Sequence, residues 1–444
     1  RSKHEREIMT ARQPTQIATL TMRSMRVVAL LSLICVPRGA EAQTIVSPTI
    51  TTATWTPAGN PYVIANNSTV PAGHTLTIQP GVVVWVGENL TVTVNGAIHA
   101  IGTPSQRIKI QSPVATQYWN ELAVTHSAGI TNRFKFCDFQ NASNAAIKLV
   151  VSGGSTMVAE IMNCTFSNCI SQAIYGQATG TASTANSHHA YLNPVIKNCL
   201  FSNSGVALRV KMQGTLAGKI GRGYANFALI GNLFVNVTNH AVLLDTGSYP
   251  GGGSPEVINN SFINCGFGVS SQEPYDAKVQ NNIFDSSGIA VKTSGSLSRA
   301  VSYNGFFANG TNFSGYPATY GQVIVQNRNG TACDLLFNIF QDPLFVGGGD
   351  YRLTELSPCI DAGETSNPNY GDMCFDVSRG TGISDLGAYG GADACNWMDP
   401  VPLLTTSPWM TCADNKPTIN WDAIPRSTYR IHYVTNATDT NWKT

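Results

Sequence analysis

Six residues recur at two fixed offsets along this chain and share the chemistry of anion recognition: Tyr175 and Gln177, Arg209 and Lys211, Asp245, and Gln272. Arg and Lys beside an aromatic ring suit a carboxylate or sulfate carried on a sugar. In an enzyme, Arg209 would neutralise a uronate and acidify its C5 proton. Lys211 would remove that proton if the neighbouring cation favoured its neutral amine. Asp245, one repeat along from Lys211, would oppose this by keeping Lys211 charged, so binding ranks above catalysis. Tyr175 would serve as a flat platform, with Gln177 and Gln272 as neutral donors.

Other constellations carry less. Residues 134–310 hold seven carboxylates, Asp138, Glu160, Asp245, Glu256, Glu273, Asp276 and Asp285. No two of them share a column of the repeat, so the carboxylate pair of a glycosidase is not evident. His188 and His189 have no third metal ligand within reach in sequence, and His240 sits at a corner; all three read as ordinary solvated histidines. Asp342, Asp350, Asp361, Asp372, Asp376 and Asp385 lie among glycines in the last third. Ca²⁺ takes such oxygens, but no fixed calcium loop is present, and turn-capping accounts for them better. No CxxC pair and no zinc spacing occurs. The expectation is therefore no metal and no cofactor, with Ca²⁺ the one weak alternative.

The elements that position these residues follow from a repeat. One phrase recurs as Phe136-Cys137-Asp138-Phe139, Asn163-Cys164-Thr165-Phe166, Asn198-Cys199-Leu200-Phe201, Gly231-Asn232-Leu233-Phe234, Asn259-Asn260-Ser261-Phe262, Asn281-Asn282-Ile283-Phe284 and Tyr303-Asn304-Gly305-Phe306. The Phe-to-Phe spacings are 27, 35, 33, 28, 22 and 22. A small-apolar pair follows six times: Ala146-Ile147, Ala173-Ile174, Ala207-Leu208, Ala241-Val242, Gly268-Val269 and Ala290-Val291. Short alternating runs at a period near 22 describe a β-solenoid.

The Phe column would stack inside, with the Cys/Asn column before it as a second internal stack. There each Asn bonds the coils above and below. Cys137, Cys164 and Cys199 share that column as small buried side chains rather than bridges. Two outward columns follow each small-apolar pair. One holds Lys148, Tyr175, Arg209, Leu243, Ser270 and Lys292; the other holds Val150, Gln177, Lys211, Asp245, Gln272 and Ser294. Insertions at 178–193, 212–227 and 246–256 would wall a groove over the Arg209/Lys211 face. A plain solvated face with tolerated insertions is the competing reading.

Before the repeats, Val70–Gly81, Val82–Val86, Leu90–Val94, Asn95–Thr103 and Ile108–Ile110 read as short strands split by Gly/Pro turns. On this segment the chain resembles the right-handed parallel β-helix family, the pectin-lyase-like group of secreted proteins. Residues 342–391 resemble the closing segment of bacterial β-helix repeat proteins. The resemblance implies an all-β fold, a right-handed parallel β-helix over about 60–395. It implies little about activity, because that fold carries lyases, glycosidases, esterases, adhesins and structural proteins. Hydrolases of the group carry Asp pairs, a Gly-His-Gly and an Arg-Ile-Lys. Only Arg107-Ile108-Lys109 is present, in the opening coils, and it reads as a chance match.

The expected organisation is an upstream extension and signal peptide over 1–42, then a β-helix over 43–395. The β-helix divides into opening coils (43–133), repeat coils (134–340) and a closing segment (341–395). A linker at 396–416 would lead into a truncated fibronectin-III-like β-sandwich at 417–444, read from Pro417–Ile424 and Tyr429–Val434. Met25-Arg26, the apolar run Val27–Val36 and Ala40-Glu41-Ala42 form the export signal, too short to span a membrane. Export permits disulfides, and at least one is expected among Cys333, Cys359, Cys374, Cys395 and Cys412.

Composition narrows the partners. Lys+Arg 27 against Asp+Glu 26 gives +1 over 444 residues. Removing 1–42 takes away seven basic and three acidic residues, leaving 20 minus 23, or −3. Neither value offers a nucleic acid a basic field. The reading is a secreted or cell-surface, non-catalytic binder of extracellular, acidic polysaccharide, with surface attachment through further C-terminal domains. A polysaccharide lyase or glycoside hydrolase using Lys211, Arg209 and Asp245 is the alternative.

Overall fold

The computed structural model describes residues 43–125, 129–295, 301–365, 371–372 and 377–397, together with the backbone of 409–413 and 416–420. Three long parallel sheets of 11, 10 and 12 strands wind into a right-handed parallel β-helix. We call them the Phe sheet, the polar sheet and the third sheet. The Phe sheet contains Thr165–Ser167 and Leu200–Ser202, the polar sheet Gln172–Thr179 and Val206–Gln213, and the third sheet Thr156–Met162 and Val195–Lys197. Among the described residues, no helix is long and apolar enough to cross a membrane. In a separate unit, Trp409–Ala413 and Lys416–Asn420 pair as an antiparallel hairpin. The strand expected over Tyr429–Val434 lies outside the described residues, as do residues 1–42.

The repeated phrase sets the core. Phe139, Phe166, Phe201, Phe234, Phe262, Phe284 and Phe306 face one another in register from strand to strand. None exceeds 1% exposure. Their ring centroids lie 4.6 to 5.1 Å apart at interplanar angles of 3 to 9°. The strand spacing of about 4.8 Å imposes this distance. It exceeds the thickness of a ring, so the rings stack with an offset, a favoured arrangement for aromatic pairs.

The adjacent column runs Cys137, Cys164, Cys199, Asn232, Asn260, Asn282, Asn304 and Asn338. Its asparagines form a ladder: each Nδ2 donates to the next Oδ1, at 3.0, 2.9, 2.9 and 3.2 Å. Each Oδ1 from Asn260 onward also accepts the backbone N–H of the preceding Asn. The three cysteines are buried free thiols. Cys164, for example, points its Sγ at Phe134 O, 3.4 Å away.

The other asparagines of the phrase have a different task. Asn163, Asn198, Asn259 and Asn281 precede the Phe strands, and Asn141, Asn168, Asn203, Asn236 and Asn264 follow them. All nine have φ between 49° and 59°. Each three-residue strand is thus bracketed by single left-handed residues that turn the chain at the corners. Asn tolerates this conformation because its short side chain bonds locally.

The end of the solenoid is closed by an aromatic plug. Phe313 and Phe340 pack on Phe306 at 4.7 and 5.7 Å, and Tyr316 and Tyr320 pack on Phe313. The closing segment then runs back along the outside of the Phe sheet. Glu364 N–H donates to Asn281 Oδ1, Asn259 Nδ2 to Asp385 O, Asn198 Nδ2 to Asp393 O, and Asn163 Nδ2 to Asn396 O. Rising numbers in the strap thus meet falling numbers in the coils. The strap buries Leu233 and Ile263 under Ala388, Tyr389 and Trp397.

Within this segment Cys333 and Cys359 are buried free thiols packed with Ile283, Ile339 and Leu386, which removes both from the bridge candidates. Cys395 is disulfide-bonded. The side chains of Cys374 and Cys412 lie outside the described residues.

Candidate functional site

The three sheets present different outer faces. The strap covers much of the Phe sheet. The third sheet carries paired charges, with Glu160 bound by Arg133 and Lys135 at 3.2 and 3.3 Å. The polar sheet carries the residues singled out in the sequence. Its register aligns Lys148, Tyr175, Arg209, Leu243, Ser270 and Lys292 in one row, and Val150, Gln177, Lys211 and Asp245 in the next. Along Val206–Gln213 the inner Leu208, Val210 and Met212 are buried, while Arg209, Lys211 and Gln213 are partly exposed. These side chains point outward, as the alternation requires.

Arg209 donates to Asp245 Oδ2 through Nε at 3.2 Å and Nη2 at 2.5 Å. This corrects the expectation that Asp245 acts on Lys211. Lys211 is level with Asp245, but the guanidinium reaches diagonally across and offers two donors to one carboxylate. The Arg209 guanidinium carbon also lies 5.9 Å from the Tyr175 ring centroid. Burial pushes the Tyr175 phenol up, opposed by the Arg209 charge and reinforced by Asp245. Its hydroxyl donates to Gln177 Oε1 at 2.7 Å, and Gln177 Nε2 donates to Thr179 Oγ1 at 3.0 Å. Gln177 is therefore largely engaged within the protein, while among the described residues the Gln272 side chain is bound through its oxygen alone, which accepts Thr246 N–H and Oγ1 at 3.1 and 3.2 Å.

Lys148 is held by Glu121 at 3.1 Å. The strands of this sheet thus carry four Lys/Arg (Lys148, Arg209, Lys211, Lys292) and two carboxylates (Glu121, Asp245). Two ion pairs consume one carboxylate each. Among the described residues, Lys211 and Lys292 have no anionic partner. Glu121 and Asp245 are four strand steps apart, about 19 Å at the usual spacing, which is beyond the 5–9.5 Å or so of a glycosidase pair.

The sequence reasoning missed one cluster. His240 opens the strand His240–Thr246 rather than standing in solvent, and its ring stacks on Phe267 at 4.3 Å and 8°. Lys292 Nζ lies 5.5 Å from the Phe267 centroid. Burial holds the His240 imidazole below its ordinary range, aided by the Lys292 and Arg209 charges. The signal was present, because His240 and Phe267 occupy equivalent positions of adjacent repeats.

The insertions are ordered. Thr181–Ala182 with Ser187–His188, and Thr215–Ala217 with Lys219–Gly221, make two hairpins beyond the strand ends. Ala190–Leu192 and Gly223–Ala225 pair beside the third sheet, with Tyr191 stacked on Tyr224 at 5.2 Å. His189 Nδ1 accepts the Arg222 N–H at 3.1 Å. In the closing segment the aspartates serve turns: Asp385 accepts the N–H groups of Asp361 and Arg379 at 2.8 and 2.7 Å, and Asp361 accepts that of Thr381 at 2.8 Å. Among the described residues no group of three His, Cys, Asp or Glu converges as metal ligands would.

No protein-family model and no curated protein matches this chain. Among solved structures it is similar to the crystal structure of pectate lyase Pel9A, at 14% identity and a TM-score of 0.33, over 78% of this chain and 87% of that one. A likeness at that level says nothing of activity.

Proposed function

We propose that the outer face of the polar sheet binds an anionic extracellular polysaccharide without cleaving it. The observation that carries this reading is the division of charge on the face. Arg209 is already satisfied by Asp245, while Lys211 and Lys292 have no anionic partner among the described residues, and Lys292 lies over the Phe267 ring. A lyase would need Arg209 available to the uronate and Lys211 able to take a proton; the Arg209–Asp245 pair works against the first. The test titrates the purified protein with polyuronates, sulfated glycans and neutral glycans at two salt concentrations. Binding to the anionic polymers alone, weakened by salt and by Arg209→Ala with Lys211→Ala, is expected. Equal binding of neutral glycans, or a double variant that binds like the parent, overturns it. Growing absorbance from unsaturated products would replace it with the lyase reading.

The remaining assignments join this proposal. Residues 1–42 act as an export signal, and the mature protein is secreted or held at a cell surface. The division into opening coils, repeat coils and closing segment follows the boundaries given above. The Cys395 bridge pins the strap, and the hairpin at 409–420 leads into a fibronectin-III-like module. Mapping the mature N-terminus and the bridged peptides by mass spectrometry tests the first and third of these.

A further inference from the structure

Lys211 and Lys292 are the two cations of the polar sheet without an anionic partner among the described residues. They occupy different rows and different coils. Lys211 aligns with Asp245. Lys292 aligns through Ser270 and Leu243 with Arg209. The two are three strand steps apart along the solenoid and two residues apart along the strands. With steps of about 4.8 Å and a rise of about 3.3 Å per residue, their backbone positions lie about 16 Å apart.

The two ends differ in their surroundings. Lys211 aligns with Gln177 and extends past Gly247, while the Tyr175 ring faces Arg209. Phe267 lies under Lys292 at 5.5 Å, with its other neighbour His240 stacked on it. A ring beneath an ammonium steadies it without neutralising its charge. Between the two ends Asp245 is turned into the Arg209 pair, and Gln272 has its oxygen bound and, among the described residues, its amide N–H groups left over. The middle of the path is thus close to neutral and offers donors.

Resting on the reading that this face binds an anionic glycan, we infer that Lys211 and Lys292 are two ends of one extended site, occupied by a polymer that crosses the strands along the solenoid axis and presents an anionic group to each lysine. A single charged sugar satisfies one end only. An oligomer long enough to bridge both gains the second contact intramolecularly, at high effective concentration. Recognition therefore depends on length as well as charge.

The test uses the full chain and a graded series of oligouronates, from the disaccharide to long oligomers, in titration calorimetry at fixed salt. Affinity is expected to step up once the oligomer spans both lysines, by roughly tenfold or more. Lys292→Ala and Lys292→Gln should remove the step, so that long oligomers bind no more tightly than short ones do. Lys292→Arg should restore it. Lys292 is exposed and packs in no core, and circular dichroism checks that each variant is folded. If affinity shows no step with length, or if Lys292→Ala keeps it while Arg209→Ala with Lys211→Ala loses binding, the extended site is overturned and the binding face survives. If the parent binds no anionic oligomer of any length, the binding face itself is overturned, and the extended site with it.

Discussion

The Arg209 guanidinium reaches across one strand step to Asp245 and holds its carboxylate through Nε and Nη2 at 3.2 and 2.5 Å. The pair is off-row: the register places Lys211, not Arg209, opposite Asp245. It sets the charge available to any ligand on the polar sheet. Asp245→Asn should release the guanidinium, raise affinity for an anionic polysaccharide and steepen its dependence on salt. Because Arg209 is partly exposed, the stability cost should stay within about 1 kcal/mol. Calorimetric titration at two ionic strengths, with a parallel denaturation curve, checks both. Unchanged or weaker binding would count against a role for this face.

The asparagine ladder should be sensitive to any gap. Asn260 accepts the N–H and Nδ2 of Asn232, and donates to Asn282 Oδ1, Leu229 O and Ile258 O. Asn260→Ala leaves these buried donors and acceptors short of partners. Unsatisfied buried groups cost about 1–3 kcal/mol each, so a total loss of about 2–4 kcal/mol is expected. Urea unfolding measures it. A loss below about 0.5 kcal/mol would mean that water or a shifted neighbour replaces the side chain.

The strap should tighten in acid. Burial raises the Asp372 carboxyl to about 8 and the Asp385 carboxyl to about 7; the Asp385 charge adds to the first, and Asp361 to the second. Both values lie above the ordinary carboxylate value of about 3.9. The folded strap therefore binds protons more tightly than the unfolded chain does. Their stabilisation is fully present below about pH 4 and is lost as pH rises through about 7 to 8. Amide exchange in residues 377–397 should be slower at pH 5 than at pH 8.5 after correction for intrinsic rates, and Asp372→Asn should flatten the difference. The same protection at both pH values in the parent would refute this.

Seven cysteines, Cys137, Cys164, Cys169, Cys199, Cys265, Cys333 and Cys359, are buried free thiols. Burial pushes Cys169, Cys265 and Cys359 up to about 12. Against the same burial, contacts with Cys137 and Cys199 pull Cys164 the other way, but all seven sulfurs are buried, and a reagent must reach a thiol to react with it. None of the seven should react with a disulfide reagent in the native protein, and all should react after unfolding. Rapid native labelling of any of them, located by peptide mapping, would contradict the packing described above.

Much of the fold was legible in the sequence because a solenoid turns sequence period into contact. The neighbour of Phe234 is the equivalent Phe one repeat away, so listing the repeats also lists the stack. The same logic aligned Tyr175 with Arg209, and Lys211 with Asp245. It could not show which cation Asp245 would hold, because a long guanidinium reaches off its row once the backbone is fixed. Nor did it separate ladder asparagines such as Asn260 from corner asparagines such as Asn259. Adjacent in sequence, the two differ in φ, which the turn of the chain decides. The return of residues 364–365, 371–372 and 377–396 over the Phe sheet lies outside the repeat altogether. Its contacts, such as Asn163 with Asn396, depend on apolar Leu233 and Ile263 facing outward and needing cover, and that need arises only when the coils are stacked.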